Sequence, residues 1–273
     1  MSVQGRRPGT PMGTEVVFDD PCVVFALGRE ARAFRREFRA HQRFAGAPCW
    51  ARFCGPAWLS VLVLETGVGR ARTERALDWL LGRPLLGNVP YRPKVVLSAG
   101  FCGGLQDGLR TGDVVLATEV VDDAGGRWPA TWPGELPAGR WDPPLVRGRL
   151  LTAAHLAGEP EVKRALGRLY DAAAVDMETA ALARRCAAAE VPFGSVRVVL
   201  DEVDTPLSPR LVSVLSGGRV SPWRLAAAVA RSPRLVGELW RLGRRARPAA
   251  ETLGRAVGEL LTLTLPWAAG SGG

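Results

Sequence analysis

The strongest constraint on this chain is a series of short, β-branched apolar segments set apart by stretches with helical periodicity. "PCVVFALG" (21–28) reads as a strand ending in glycine, followed by a polar, Arg-rich helix from about residue 29 to 44. "AWLSVLVLE" (57–65) is a second strand. "TGVG" then turns the chain, and "RARTERALDWLLG" predicts a helix closed by Gly82. "PKVVLSAG" (93–100) is a third strand with a Gly-rich loop after it, "DVVLATEVV" (113–121) a fourth, and "PFGSVRVVLD" (192–201) a further one that ends in an acid. Residues 124–148 carry three tryptophans among prolines and glycines and read as a long surface loop. Helices are expected near 159–169 and over the Ala-rich stretch after "VDME". Strands alternating with helices specify the α/β class, with a mainly parallel sheet covered on both faces. Ligands in such folds sit beyond the carboxyl ends of strands, so Gly28, Thr66, Ser98 and Asp201 should converge.

The 273 residues suffice for one large domain or two small ones. An apolar content of 47% with 23% charged residues reads as soluble and globular. No apolar run approaches the roughly 20 residues of a spanning helix. The Gly/Pro-rich N-terminus has no apolar h-region, so the expected location is cytoplasmic. Five scattered cysteines read as reduced thiols; with only His41 and His155 to join them, no metal site is expected. The net charge of +9 is concentrated: from Arg219 to Arg255 nine arginines and two glutamates give +7, leaving +2 for the rest. In "SPRLVGELWRLGRRAR", Ser232 caps and Pro233 opens a helix. Leu235, Leu239, Leu242 and Ala246 share one face, and Arg234, Glu238, Arg241 and Arg245 another, with Trp240 between. "SPWRLAAAVAR" before it has the same start, which predicts a helix pair. The chain thus divides into a frayed N-terminus (1–20), an α/β domain (21–205) and a basic amphipathic helical extension (206–273). No nucleic-acid partner is expected, because no DNA- or RNA-binding motif accompanies the basic stripe.

Three local patterns carry chemistry. In "ETGVGRARTERAL" a Gly-bounded turn sets backbone N–H groups at a helix start, where an anion can sit. In "LSAGFCGGLQDGL", Gly103 and Gly104 let the backbone approach a ligand closely. Either also reads as a plain structural turn. "VDMET" sets Asp176 and Glu178 on either side of Met177 at a helix mouth. A carboxylate there can accept both hydroxyl protons of a vicinal diol, each charge-assisted bond contributing about 1.5–3 kcal/mol. The alternative is a first-turn acid favoured by the helix dipole. Asp201, at a strand end, is either a functional acid or a cap for the next turn.

Taken in order, the TGxG turn, the S-x-G-x-x-G-G-L loop running into GDVV, VDME-T-A-A and VPF…VR-x-x-x-D resemble the purine nucleoside phosphorylase/nucleosidase superfamily over about residues 21–205. Its hopanoid-associated phosphorylases are the most similar branch. The resemblance implies a three-layer α/β/α phosphorylase-like fold around a mainly parallel mixed sheet. It also implies a homo-oligomer, and cleavage of the N-glycosidic bond of a purine nucleoside without metal or organic cofactor. By the same resemblance Glu178 holds the ribose hydroxyls, Met177 lies beneath the sugar and Asp176 supports them. Asp201 is the general acid at purine N7, a contribution of about 10²–10⁴ in rate. Asp204 would stand near the base, and His155 and Leu156 would stack on it. His155 reads equally as a surface histidine, and Leu200 stands where the family usually has Ser.

The nucleophile stays open at this level. The resemblance sets Arg32 where bacterial phosphorylases carry a phosphate-gripping arginine, with Gly28 at the matching glycine and Thr66, Gly67 and Ser98 around the phosphate or nucleophile. A guanidinium is a fork for an oxyanion and cannot act as a base, which favours inorganic phosphate as co-substrate. Under a shifted alignment Glu30 is the water-activating base of a nucleosidase. Phe101 replaces a phosphate-binding Ser and Ser98 replaces a second Arg, so the phosphate site is incomplete. The tail resembles the C-terminal extension of hopanoid-associated phosphorylases, which are linked to removal of adenine from adenosylhopane, a membrane lipid. The expected reaction is release of adenine from such a 5′-modified adenosine, with the tail peripheral to an anionic membrane surface. The same helices also fit packing on the domain with arginines in solvent. The alternatives are a soluble methylthioadenosine/S-adenosylhomocysteine-type nucleosidase, a general purine nucleoside phosphorylase, and an inactive nucleoside sensor.

Overall fold

The computed structural model describes residues 19–56, 59–131, 145–155, 157–209, 211–212 and 233–264. In chain order these form β1 (Cys22–Phe25), α1 (Gly28–Glu37), β2 (Ala40–Arg43), β3 (Trp50–Cys54), β4 (Val61–Glu65), α2 (Arg70–Leu81), β5 (Leu85–Leu86), β6 (Val89–Pro90) and β7 (Val96–Gly104). They continue through β8 (Val114–Asp122), β9 (Arg127–Pro129), β10 (Leu145–Thr152), α3 (Pro160–Tyr170), β11 (Ala174–Asp176), α4 (Thr179–Ala188), β12 (Phe193–Asp201) and α5 (Pro233–Thr264).

The main sheet runs β11-β10-β8-β12-β7-β1-β4-β3-β2. Its middle is parallel, where β1 lies between β4 and β7 and β12 lies beside β7. β11 also pairs antiparallel with β7, so β7, β12, β8, β10 and β11 close on themselves. Alternation along the strands makes the layers. Cys22, Val24, Leu62 and Leu64 share one core with Leu77 and Leu80 of α2 and Leu182 and Cys186 of α4. Val23, Phe25, Val61 and Val63 point the other way, onto Phe34 of α1 and Leu253 and Val257 of α5. The result is the expected α/β fold with helices on both faces.

Several elements differ from the expectation, each for a local reason. The helix expected to reach residue 44 stops at Glu37; Phe38 leaves helical geometry and buries its ring, and exposed β2 pairs with β3 at the sheet edge. The second strand begins pairing only at Val61. The glycine-rich stretch 101–104 is strand rather than loop, because β7 continues far enough to pair with Asp201 of β12 and with β11. Within the expected surface loop, β9 and β10 are strands, and 132–144 lie outside the described residues.

The tail contains, among the described residues, a helix of 32 residues with Pro248 inside it. The expected preceding helix and the Ser232 cap lie outside the described residues. Beyond Pro248, Ala249, Leu253, Ala256, Val257, Leu260 and Leu261 are buried. This half of the extension therefore completes the core on the α1 face instead of hanging from a finished domain. The close approach needs glycine: a Cβ at Gly254 would lie 2.6 Å from the Phe34 backbone nitrogen, and one at Gly258 would lie 3.0 Å from the Phe38 ring. Gly254→Ala should push α5 off α1 and cost about 1–3 kcal/mol. Thermal unfolding checks this, with a Tm drop of about 2–4 °C per kcal/mol expected at this size; an unchanged Tm would contradict the packing.

Candidate active site

The site is built around a buried arginine. Arg197, in the middle of β12, is 5% exposed. Its Nε donates to Asp176 Oδ2 at 3.0 Å, and its Nη2 lies 2.8 Å from the same oxygen and 2.6 Å from Ser98 Oγ, to which it donates. The Thr179 hydroxyl also bonds both Arg197 and Asp176. Asp176 closes β11, where Thr152 Oγ1 donates to its Oδ1 at 2.8 Å and the Thr179 amide at 3.3 Å. Asp176 thus caps α4 while Glu178, the geometric N-cap, makes no capping bond and is free to face outward. Gly100 permits the arginine, since a Cβ there would lie 2.7 Å from Arg197 Nη1 and 3.4 Å from Glu30 Oε1.

Glu30 is the second buried charge. It is the third residue of α1, and its Oε2 accepts the Leu27 amide at 2.8 Å, half of a capping box. Oε1 is left on the Gly100 side. Burial pushes its carboxyl above the usual range, against the pull of the Leu27 amide and of Arg197. Glu30, Thr66, Ser98, Phe101, Glu178 and Arg197 enclose a cavity of about 30 Å³. Thr66 and Ser98 therefore line this cavity, whereas Gly67 turns the chain at φ 81° with Arg72 folded against it. Gly28 packs on Glu65.

Arg32 is exposed on the outer side of α1. Two residues along a helix turn about 200°, so Glu30 and Arg32 cannot both face the sheet ends. The helix register chooses the glutamate, and the expected phosphate arginine is removed from the site.

Asp201 sits at the end of β12 just past a bulge: Val199 pairs with Cys102 and Asp201 with Gly103, leaving Leu200 extra. Its carboxyl lies on the Gly103 backbone, where a Cβ would be 3.2 Å from Oδ2. Lys163 of α3 donates to Oδ2 at 2.6 Å. Burial pushes the Asp201 carboxyl up, and Lys163 and Arg245 pull it back only in part. Asp204 does not join this group; it is exposed and paired with Arg164. His155 is exposed, and Leu156 lies outside the described residues. Arg197 and Lys163 were not anticipated. A charged residue within a strand run expected to be buried on both faces was the available signal for the first. For Lys163 there was none, because a lysine on an amphipathic helix reads as solvated.

The family model of the phosphorylase superfamily matches residues 22–136 and 134–214. The chain belongs to the phosphorylase superfamily. It is 25% identical over 233 residues to a 5′-methylthioadenosine/S-adenosylhomocysteine nucleosidase of Exiguobacterium, covering 77% of this chain and 96% of that one. It is 27% identical over 201 residues to the Bacillus anthracis nucleosidase of the same name, covering 66% and 84%. The fold matches Arabidopsis thaliana 5′-methylthioadenosine nucleosidase with a TM-score of 0.67 at 18% identity, covering 92% of this chain and 98% of that one. It matches Helicobacter pylori futalosine hydrolase with a TM-score of 0.63 at 14% identity, covering 89% and 97%.

In this superfamily member Glu178 lies between the small cavity and a larger one of about 300 Å³ that Met177, Thr152, Trp128 and Arg184 also line. Burial, then the neighbouring Asp176, raises the Glu178 carboxyl to about 7, against the pull of Arg197. The ionised form, which alone accepts two hydroxyl protons, therefore grows as pH rises through about 7. If Glu178 holds a ribose diol, as the resemblance implies, affinity for a nucleoside analogue with an intact 2′,3′-diol should strengthen from acid to neutral pH and level off above it. Calorimetric titration across that range checks this, and Glu178→Gln should flatten the dependence.

Proposed function

We propose that the chain hydrolyses the N-glycosidic bond of a 5′-modified adenosine and releases adenine. The observation that carries this reading is the 30 Å³ cavity walled by Glu30, Ser98, Arg197 and Glu178. It has the volume of about one water and enough polar partners to hold it. Among the described residues the cavity's one guanidinium, Arg197, is already bonded to Asp176, which supports water over phosphate as the nucleophile.

A carboxyl raised by burial is suited to work as a base. Glu30 takes a proton from the water, whose oxygen bonds to C1′ as the C1′–N9 pair withdraws into the purine. Asp201 supplies the proton at N7, and Glu178 anchors the ribose diol over Met177. The phosphorylase reading loses its main support with Arg32 in solvent. The named relatives act on methylthioadenosine and S-adenosylhomocysteine, which supports a 5′-substituted adenosine as the substrate class.

For the 5′ substituent the reading extends to adenosylhopane, in keeping with the resemblance of the tail. The first half of α5 exposes Trp240, with Arg244 lying 4.7 Å from its ring centroid, and Arg241 and Arg247 are also exposed on this helix. An amphipathic ring among arginines suits an anionic lipid surface. A soluble methylthioadenosine-type nucleosidase is the second reading, favoured by the same relatives.

Free adenine should appear from methylthioadenosine at equal rates with and without inorganic phosphate. Glu30→Gln should lower kcat about 10²–10⁴-fold, while Arg32→Ala leaves it unchanged. A strict phosphate requirement, or an active Glu30→Gln, would reject hydrolysis. Flotation with phosphatidylserine-containing vesicles should carry the full chain upward and lose the Trp240→Ser/Arg244→Ser variant. No flotation of either would leave the soluble nucleosidase as the reading.

A further inference from the structure

Lys163 is a cation sealed inside the protein, with 0% side-chain exposure. An ammonium has three protons to donate, and all three are used: to Asp201 Oδ2 at 2.6 Å, to the Glu202 carbonyl at 2.9 Å and to the Thr205 carbonyl at 2.9 Å. The orientation of α3 underlines this. Val162 and Leu169 are 44% and 74% exposed, while Lys163 and Gly167 face inward. The helix is rotated so that Lys163 enters the interior on the same side as Leu166 and Tyr170, which pack against the cluster of Leu105, Val121 and Leu151. A lysine on the core-facing side of an amphipathic helix is unusual, since buried charge is costly unless fully paired. Among the described residues Asp201 Oδ1 carries no hydrogen bond, so one edge of the carboxyl is held and the other is not.

We propose that Lys163 is the positioning residue of the acid: it pins Asp201 through Oδ2, leaves Oδ1 as the edge that meets the purine, and ties the loop after Asp201 to α3. The proposal rests on the reading of Asp201 as the acid at N7. The groups facing Asp201 are Lys163 from α3, Arg245 from α5 and the Cys102 thiol from β7; the adjacent Glu202 carboxylate turns away to Arg110 and the Thr111 amide. Lys163 is the largest of the influences that lower the carboxyl's proton affinity. Its loss leaves burial unopposed except by Arg245, so Asp201 holds its proton to higher pH.

The test is adenine release from methylthioadenosine by wild type, Lys163→Met, Asp201→Asn and the double variant, from about pH 5 to 10. The basic limb of kcat/KM should move up by about one to three pH units in Lys163→Met, with a lower plateau. In the Asp201→Asn background the same substitution should change the residual rate no further. A merely structural lysine would leave the limb in place and lower both backgrounds equally, and either result overturns the proposal. If Lys163→Met does not fold, Lys163→Gln keeps donors for the two carbonyls while removing the charge, and an unmoved limb there overturns it equally. Full activity in Asp201→Asn would instead reject Asp201 as the acid, a different outcome from failure of the lysine's role.

Discussion

The guanidinium of Arg197 and the carboxylate of Asp176 meet at 2.8 Å with both side chains almost fully buried, and four elements take their position from that contact. Ser98 ties it to β7, Thr152 to β10, Thr179 to the first turn of α4, and Arg197 itself to β12. A buried pair of this kind adds little net stability over apolar packing, yet removing one partner costs about 3–5 kcal/mol because the other is stranded. Its value lies in geometry. With Asp176 serving both as the partner of Arg197 and as the cap of α4, Glu178 is released from capping and can turn toward a ligand. Asp176 thereby neutralises the arginine, and Ser98, Thr152 and Thr179 gather around the pair.

The charge balance around that pair shapes what the site does. Asp176, Glu30 and Glu178 all feel one cation, Arg197, and Asp176 claims most of it. Burial pushes Glu30 and Glu178 up, and Glu30 also raises Glu178. Two carboxyls raised by burial thus line one small cavity. At the far end Asp201 is treated differently, each acid being set by its own neighbours: burial lifts it, but Lys163 supplies a dedicated counter-charge.

Much of this was legible from residue order. The strands β1, β4, β7, β8 and β12 stood out because each is buried on both faces and so reads as a continuous apolar run. Glu178 and Asp201 stood out because they end such runs or open a helix. What escaped notice had weak local signal. The polar "AHQR" of β2 pairs only at an exposed edge, and β10 is hidden in a stretch dominated by glycine, proline and tryptophan. Gly103 and Gly104 read as loop, although they are strand glycines that give Asp201 and β11 room to approach. The choice between Glu30 and Arg32 was beyond alignment alone. Each fits a motif, and only the phase of α1 against the sheet decides which side chain is inside.

The basic tail shows why charge counting misplaces a domain boundary. Its arginines suggested an appendage, but helix α5 carries two different surfaces on either side of Pro248. The second half is apolar every third or fourth residue, and that face, from Ala249 through Leu253 and Val257 to Leu261, is buried. The first half leans on the loop that follows Asp201: Leu239 and Leu242 pack on Leu207 and Leu211, and Ser208 Oγ donates to Glu238 at 2.7 Å. That loop is thus held from one side by Lys163 at the Thr205 carbonyl and from the other by α5, whose Arg245 lies near enough to act on Asp201. Helix α5 lies far along the sequence, but in space it closes one wall of the α/β body, so the element that presents Trp240 to the outside also holds the segment around Asp201.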